Sequence, residues 1–387
     1  MLWEDYLALY DNRQQQQDFL PVAWLDAHTM LANHLADYVR QKVPAKPNEA
    51  IPTMLMQGHN IEAHGIYPMH APAILTSFGF SDIADVGYKS NPRQKEYNFG
   101  RPKFYYAYDG GEKKLLSTVM PGNDYLSNHG EMIRHAIRLL GHDPDQRSKI
   151  FHYPDAEKRI TEWTQLDETF VKEGDRVILG YVSEIEGRFL KSGRPMHRLS
   201  EEQNAYQGSR RYQTPMGHTI NFLGFKYTYW GDTSAKLCDR LCHLGASEII
   251  YSAKTGVLSA PDDIYTRSFS PSAYVNVNRD KDQPIITDLP NALLQIFPDL
   301  NSGLHATIPT VMEESFMQAE LLRKLLAQSI DNEISQMAAA VRNFNELWNK
   351  SASFACTTAR ITCTRAPKAR SSPNLTFSAD VTRKRYR

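Results

Sequence analysis

The sequence predicts an α/β fold, a three-layer αβα sandwich with a mixed central sheet, plus an N-terminal α+β region. Three observations carry this. Residues 225–258 read in succession as strand, polar turn, amphipathic helix, strand and tight glycine turn, a βαβ unit. Val177-Ile178-Leu179-Gly180-Tyr181-Val182 is a short apolar run suited to a core strand. Met132, Ile133, Ala136, Leu139 and Leu140 recur at helical spacing between Gly130 and the stop at Gly141.

The elements follow in order. Residues 1 to about 45 read as helix: Trp24, Leu25, His28, Leu31, Leu35 and Val39 share a face, and Pro44 with Pro47 ends it. Residues 50–125 are rich in aromatics, glycine and proline, and Phe104-Tyr105-Tyr106-Ala107-Tyr108 suggests strand with long loops. A helix is predicted from Asp155 to about Trp163. In the βαβ unit, Gly231-Asp232-Thr233-Ser234 supplies short polar caps for a first helical turn. Leu237, Cys238, Leu241, Cys242 and Leu244 then form the buried stripe, Gly245 stops the helix, and Glu248-Ile249-Ile250-Tyr251 is a buried strand. From Lys350 to Arg387 helical periodicity vanishes and nine basic residues face one acidic residue, so the segment is expected to be a solvated, disordered tail.

Composition narrows the class. With 387 residues the chain can bury a large core. Its 44 basic and 44 acidic residues cancel, which argues against nucleic acid or an anionic membrane as a chain-wide electrostatic partner. MLWEDYLALYD has no basic n-region and no long apolar run, and no stretch approaches a membrane span. Cys238, Cys242, Cys356 and Cys363 form no disulfide framework. A cytoplasmic protein is expected. Neither a P-loop, a Gly-x-Gly-x-x-Gly nor a Gly-x-Ser-x-Gly occurs.

Three segments carry a family likeness. Leu244-Gly245-Ala246, an Ile249-Ile250 strand and a small-residue stretch ending in Gly256-Val257-Leu258 come first. Ser302-Gly303-Leu304-His305-Ala306-Thr307 comes second, and Ile330-Asp331-Asn332-Glu333-Ile334 third. In this order and spacing they resemble the nucleoside phosphorylase and nucleosidase superfamily over about residues 175–347, with residues 1–174 as an N-terminal region and 348–387 as the tail. The resemblance implies cleavage of a nucleoside or nucleotide N-glycosidic bond, by water or with phosphate as co-substrate and no other cofactor. It also implies a small-molecule nucleoside partner and is compatible with a homo-oligomer.

Site residues follow from the resemblance, beside plainer readings. Glu333 takes the place of the glutamate that holds the ribose hydroxyls; the plain reading is a helix-N-terminal acid favoured by the macrodipole. Asn332 stands where the family has an apolar methionine. Lys254, Thr255 and Gly256 fall in the turn that lines the nucleophile pocket, where Lys254 would add a cation for phosphate. Tyr251 replaces an arginine common in phosphorylases, which weakens phosphorolysis. His305 falls beside the base pocket, though a satisfied core histidine fits as well. Arg188 and Arg194 match a phosphate-binding arginine only loosely. The family's terminal strand carries an acid for the leaving base, whereas Ala355-Cys356-Thr357-Thr358 has none.

Two alternatives stay open. One is a non-catalytic binding module on a degenerate version of the fold. The other is a metal-dependent hydrolase using His59, His64 and His70 beside Glu62, although their spacing is not His-Glu-x-x-His and no metal site is expected.

Overall fold

A computed structural model describes residues 1–16, 45–87, 96–98, 100–193, 195–258, 268–277, 288–311 and 316–362, with backbone alone at 45–48, 316–317 and 358–362. The helical pattern at Trp24–Val39, Arg194, Cys363 and the chain beyond 362 lie outside these residues.

The first half contains α1 (Trp3–Ala8), β1 (Gln14–Gln15), α2 (Ala45–Met56), β2 (Asn60–His64), α3 (Ala71–Ser77), β3 (Ser81–Asp85), β4 (Lys103–Asp109) and β5 (Glu112–Thr118). It continues with α4 (Asn123–Leu139), α5 (Pro144–Arg147), β6 (Ser148–His152), α6 (Pro154–Lys158) and α7 (Ile160–Trp163). The strands make one six-stranded mixed sheet in the order β1-β6-β2-β5-β4-β3. The aromatic run at 104–108 is β4, as its alternation predicts. The helix expected over Asp155–Trp163 is instead two short helices, because Arg159 leaves helical geometry at φ −100°, ψ 23°.

The second half contains β7 (Arg176–Gly180), α8 (Val182–Lys191), β8 (His197–Gln203), β9 (Gln207–Gln213), β10 (Thr219–Phe225), α9 (Asp232–His243) and β11 (Glu248–Val257). It ends with β12 (Ala273–Asn276), α10 (Ala292–Ile296), β13 (Leu304–Thr307), α11 (Phe316–Lys324), β14 (Ala327–Asp331), α12 (Ile334–Trp348) and β15 (Ser353–Thr362). The sheet runs β12-β13-β14-β11-β7-β10-β9-β8, with β15 also on β11. Alternation along β7 shows the layers. Val177 and Leu179 pack with Leu237 and Leu241 of α9 and Met337 and Val341 of α12. Ile178 points the other way, against Val182, Ile185 and Phe189 of α8. The mixed central sheet between helical layers is the predicted α/β class.

Strand β11 decides where a site can form. One of its edges pairs in parallel with β7 up to Ser252, then antiparallel with β14 only from Gly256. Between those points β7 and β14 diverge and open a crevice, the kind of switch in strand order where α/β proteins bind ligands.

Three expectations need correction. Residues 1 to about 45 are not one helix: in residues 1–16 only Trp3–Ala8 is helical, and Gln14–Gln15 pairs with β6 as a strand. Residues 253–256 are not a turn, because β11 runs on through them to Val257. The chain from 353 to 362 is not a disordered tail either: β15 pairs with β11 in parallel from Ser353 to Thr362. Phe354, Ala355 and Cys356 are fully buried there. Ser-Phe-Ala-Cys-Thr-Thr is uncharged and too short for a helical period, and a strand buried on both faces shows no alternation. The basic excess begins only with Arg360.

The two halves share one core. A single cluster of buried apolar residues runs from Tyr6 to Cys356. The helices α4 and α9 also meet N-terminus to N-terminus and cap each other. Asp124 Oδ2 accepts from the Asp232 amide at 3.0 Å, and Asp232 Oδ2 accepts from the Asn123 amide at 3.0 Å. Gln336 of α12 adds a bond to Asp124 Oδ2 at 2.9 Å. Gly231 permits the approach: it has φ +51°, and a Cβ there would lie 2.2 Å from Asp124 Oδ2.

Candidate active site

The crevice holds a cavity of about 200 Å³, walled by the ends of β7 and β11, the first turn of α8, the start of α12 and residues 96–98. Gly180 makes this possible. Its φ is +90°, and a Cβ there would come within 1.9 Å of the Ser252 carbonyl oxygen. The Tyr181 amide then donates to that oxygen at 3.1 Å, clamping the two strand ends together.

Glu333 lines this cavity, half-buried, as the N-cap residue of α12, and its side chain makes no capping bond. Asp331 does that work instead. Its Oδ1 accepts from the Glu333 amide at 3.1 Å, the Ile334 amide at 3.2 Å, Thr307 Oγ1 at 2.6 Å and His305 Nε2 at 2.8 Å. Asp331 has a signal in the sequence: an acid two residues before a helix-initial glutamate is itself a capping pattern.

Tyr251, Lys254 and Tyr181 reach the same cavity. Burial first, and then the Glu333 charge, raise the Tyr251 phenol well above its ordinary value. Tyr181 is pushed up to about 12 by burial and the neighbouring Glu184. Both phenols are therefore neutral donors across the physiological range. The Lys254 ammonium sits 5.9 Å from the centre of the Tyr181 ring, within cation–π range. Tyr229 packs edge-on behind Tyr251 at 6.2 Å between ring centres.

The other expected residues do not reach the cavity. Thr255 is buried within β11, and Gly256 is paired with Ile330. Asn332 is buried and donates to the Ile308 carbonyl at 2.8 Å, tying the end of β14 to β13. His305 is fully buried between Ser329 Oγ at 2.7 Å and Asp331 Oδ1 at 2.8 Å. It is the satisfied core histidine, and it props the residue that seats Glu333. Arg188 is exposed on α8 and does not line the cavity. Cys356 lies in register with Tyr251, and burial followed by the Asp331 and Glu333 charges raises its thiol, which keeps it unreactive.

Two of the three histidines considered for a metal, His64 and His70, are held in side-chain hydrogen bonds. His64 is fully buried, with Nδ1 on Tyr153 Oη at 2.9 Å and Nε2 on Glu62 Oε2 at 3.2 Å. His70 Nε2 meets Tyr206 Oη at 2.8 Å. Among the described residues no group of three or more His, Cys, Asp or Glu is placed to hold a metal ion. Glu96, Tyr97, Asn98 and Ser183, which also line the cavity, had no signal in the sequence.

No protein-family model matches the chain. A curated relative, Oxidoreductase cns1 of Cordyceps militaris, is 29% identical over 339 residues, covering 83% of this chain and 42% of that protein. The chain thus spans less than half the length of that relative. Among solved structures, a Helicobacter pylori 5'-methylthioadenosine/S-adenosylhomocysteine nucleosidase superposes with TM-score 0.37 at 13% identity, over 50% of this chain and 87% of that one. A uridine phosphorylase from Vibrio fischeri gives TM-score 0.37 at 14% identity, over 51% and 80%. These structural neighbours are of the nucleosidase and nucleoside phosphorylase kind, at low identity and over half the chain. The superpositions are loose, and the fold class rests on the chain's own sheets. No described helix is long and apolar enough to cross a membrane.

Proposed function

We propose that the crevice binds a nucleoside or nucleotide and cleaves its N-glycosidic bond, with Glu333 gripping the ribose hydroxyls. One observation carries this reading. Asp331 relieves Glu333 of helix capping, so its carboxylate stands in a cavity with two neutral phenols and an ammonium. A carboxylate accepts from two neighbouring hydroxyls at once and is also the right charge for an oxocarbenium-like sugar. Tyr181 and Tyr251 supply donors and apolar ring faces for a base. Lys254 supplies the one described cation in the lining.

Cys356 favours a second reading. The strand β15 brings no acid beside Tyr251, so nothing on it would protonate a departing base. The site would then bind a nucleoside without turning it over. The relative's name adds an oxidoreductase activity as a further outcome, although the chain matches only 42% of that protein and carries no Gly-x-Gly-x-x-Gly. Incubation with purine and pyrimidine nucleosides and nucleotides, following free base by chromatography and nicotinamide absorbance in parallel, separates the three. Base release supports cleavage. Saturable binding without release selects the binding module, and cofactor reduction without release selects the oxidoreductase.

A further inference from the structure

One wall of the cavity comes from the first half of the chain, and it is firmly seated. Gly208 and Gly224 face each other in register on β9 and β10. The Tyr97 ring fills the space over this pair: a Cβ on Gly224 would lie 2.3 Å from the ring, and one on Gly208 would lie 2.7 Å from the hydroxyl. The Asn98 amide donates to the Phe225 carbonyl at 2.7 Å, and the Gly100 amide to the Lys226 carbonyl at 3.0 Å. Tyr97 is thus socketed, and Glu96 is fixed beside the cavity.

The Glu96 carboxylate takes the polar groups an anion would otherwise use. Its Oε2 accepts from Ser183 Oγ at 2.6 Å and from Arg210 Nη2 at 3.1 Å, while Oε1 faces Arg210 Nη1 at 3.1 Å. Arg210 does not neutralise the wall, because its Nε also pairs with Glu186 at 2.9 Å, one cation between two carboxylates. Among the described lining residues Glu96, Glu184 and Glu333 oppose the single ammonium of Lys254.

We propose that Glu96, held over the cavity by Tyr97 in the Gly208–Gly224 socket, excludes inorganic phosphate and so sets water as the co-substrate. This rests on the nucleosidase reading for its chemistry. Water oxygen bonds to the anomeric carbon, the C–N bond breaks with its electron pair going to the base, and the proton lost by water ends on the base. Phosphate would make the same bond through its own oxygen and yield a sugar 1-phosphate, but a doubly charged anion meets an acidic wall. Tyr97 is a positioning residue here, and Glu96 a specificity residue.

Phosphate binding measured without nucleoside tests this independently of turnover. Titration of inorganic phosphate, read by calorimetry and 31P line broadening, is expected to show no saturable site in the wild type. Glu96→Gln removes the charge and Glu96→Ala also releases Ser183 and Arg210, so each should gain a saturable phosphate site at least roughly tenfold tighter than the detection limit that bounds the wild type, Ala the tighter. Gly224→Ala, whose Cβ would displace the Tyr97 ring, should give the same gain, as should Tyr97→Ala if the first variant fails to fold. Adding Gly224→Ala to Glu96→Ala should give little more, and Tyr97→Phe should keep phosphate out. Phosphate bound by the wild type as tightly as by Glu96→Ala, or a sugar 1-phosphate among wild-type products, overturns the proposal. Absence of base release with every substrate would remove the nucleosidase reading and leave the phosphate comparison to decide the role of Glu96.

Discussion

Glu62 on strand β2 and Glu333 at the head of helix α12 each have a tyrosine nearby, yet Glu333 lines the crevice cavity and Glu62 does not. Glu62 is nearly inaccessible and spends its oxygens on Lys114 Nζ at 2.9 Å and His64 Nε2 at 3.2 Å. Burial alone would raise its carboxyl, but the His64 and Lys114 hydrogen bonds and charges outweigh burial and bring it to about 2. Glu333 has its helix capped by Asp331 and faces the crevice between β7 and β14. The difference is one of place: Glu62 is enclosed by its ion pairs, whereas Glu333 lines the crevice beside a helix that Asp331 caps.

The comparison breaks most easily at Glu62. Glu62→Ala leaves His64 Nε2 without its acceptor and Lys114 with Asp109 as its remaining carboxylate, a loss expected to cost about 3–5 kcal/mol by urea unfolding. Glu333→Ala should cost under about 1 kcal/mol while abolishing base release. Reversed costs would show that the two carboxylates have been assigned the wrong roles. Asp331→Ala lies between them: four donors lose their acceptor, so both stability and catalysis should fall, by about 2–4 kcal/mol in unfolding.

Acid should act on the first half in two steps. Burial pushes His129 down to about 3 from an ordinary 6.5, so the folded protein keeps it neutral where the unfolded chain takes up a proton. Its contribution is whole above 6.5 and is lost as pH falls toward 3. Glu62, lowered to about 2 from 4.5, contributes above 4.5 and loses that contribution as pH falls through 2. Urea midpoints followed with pH should therefore decline first below about 6.5 and more steeply below about 4.5. His129→Asn should shrink the first decline without abolishing it, because burial also lowers His64, His70 and His135.

A small effect on stability belongs to the joint between the halves. Asp124→Ala and Asp232→Ala each remove one of the reciprocal caps and should cost about 1 kcal/mol. The double variant should cost less than their sum, because each acid caps the other's helix. Full additivity would mean that α4 and α9 are held independently.

Regular periodicity made much of this legible in the sequence. The βαβ unit at 225–258, the helix around Gly130–Leu140 and strand β7 follow from apolar spacing; Glu333 and Lys254, candidates by family likeness, both line the crevice cavity. The failures share a cause. The strand β15 is buried on both faces and so shows no alternation, and its sequence gives way to basic residues that look like a tail. The continuation of β11 past Lys254 depends on two different partners for one edge, information that no local pattern contains. Glu96 and Tyr97 reach the cavity only because two glycines on distant strands make room for a ring. His305, Asn332 and Thr255 have the right neighbours in sequence but are buried away from the cavity, and Gly256 is taken up by its pairing with Ile330.

Sugar discrimination tests the central claim most directly. With a substrate released by the wild type, base release from the ribonucleoside and its 2′-deoxy counterpart should differ by roughly ten- to a hundredfold, the worth of one hydrogen bond to a carboxylate. Glu333→Gln should bring the ribonucleoside down to the deoxy rate and erase the difference. A ribose preference unchanged in that variant would contradict the account and move the sugar away from Glu333.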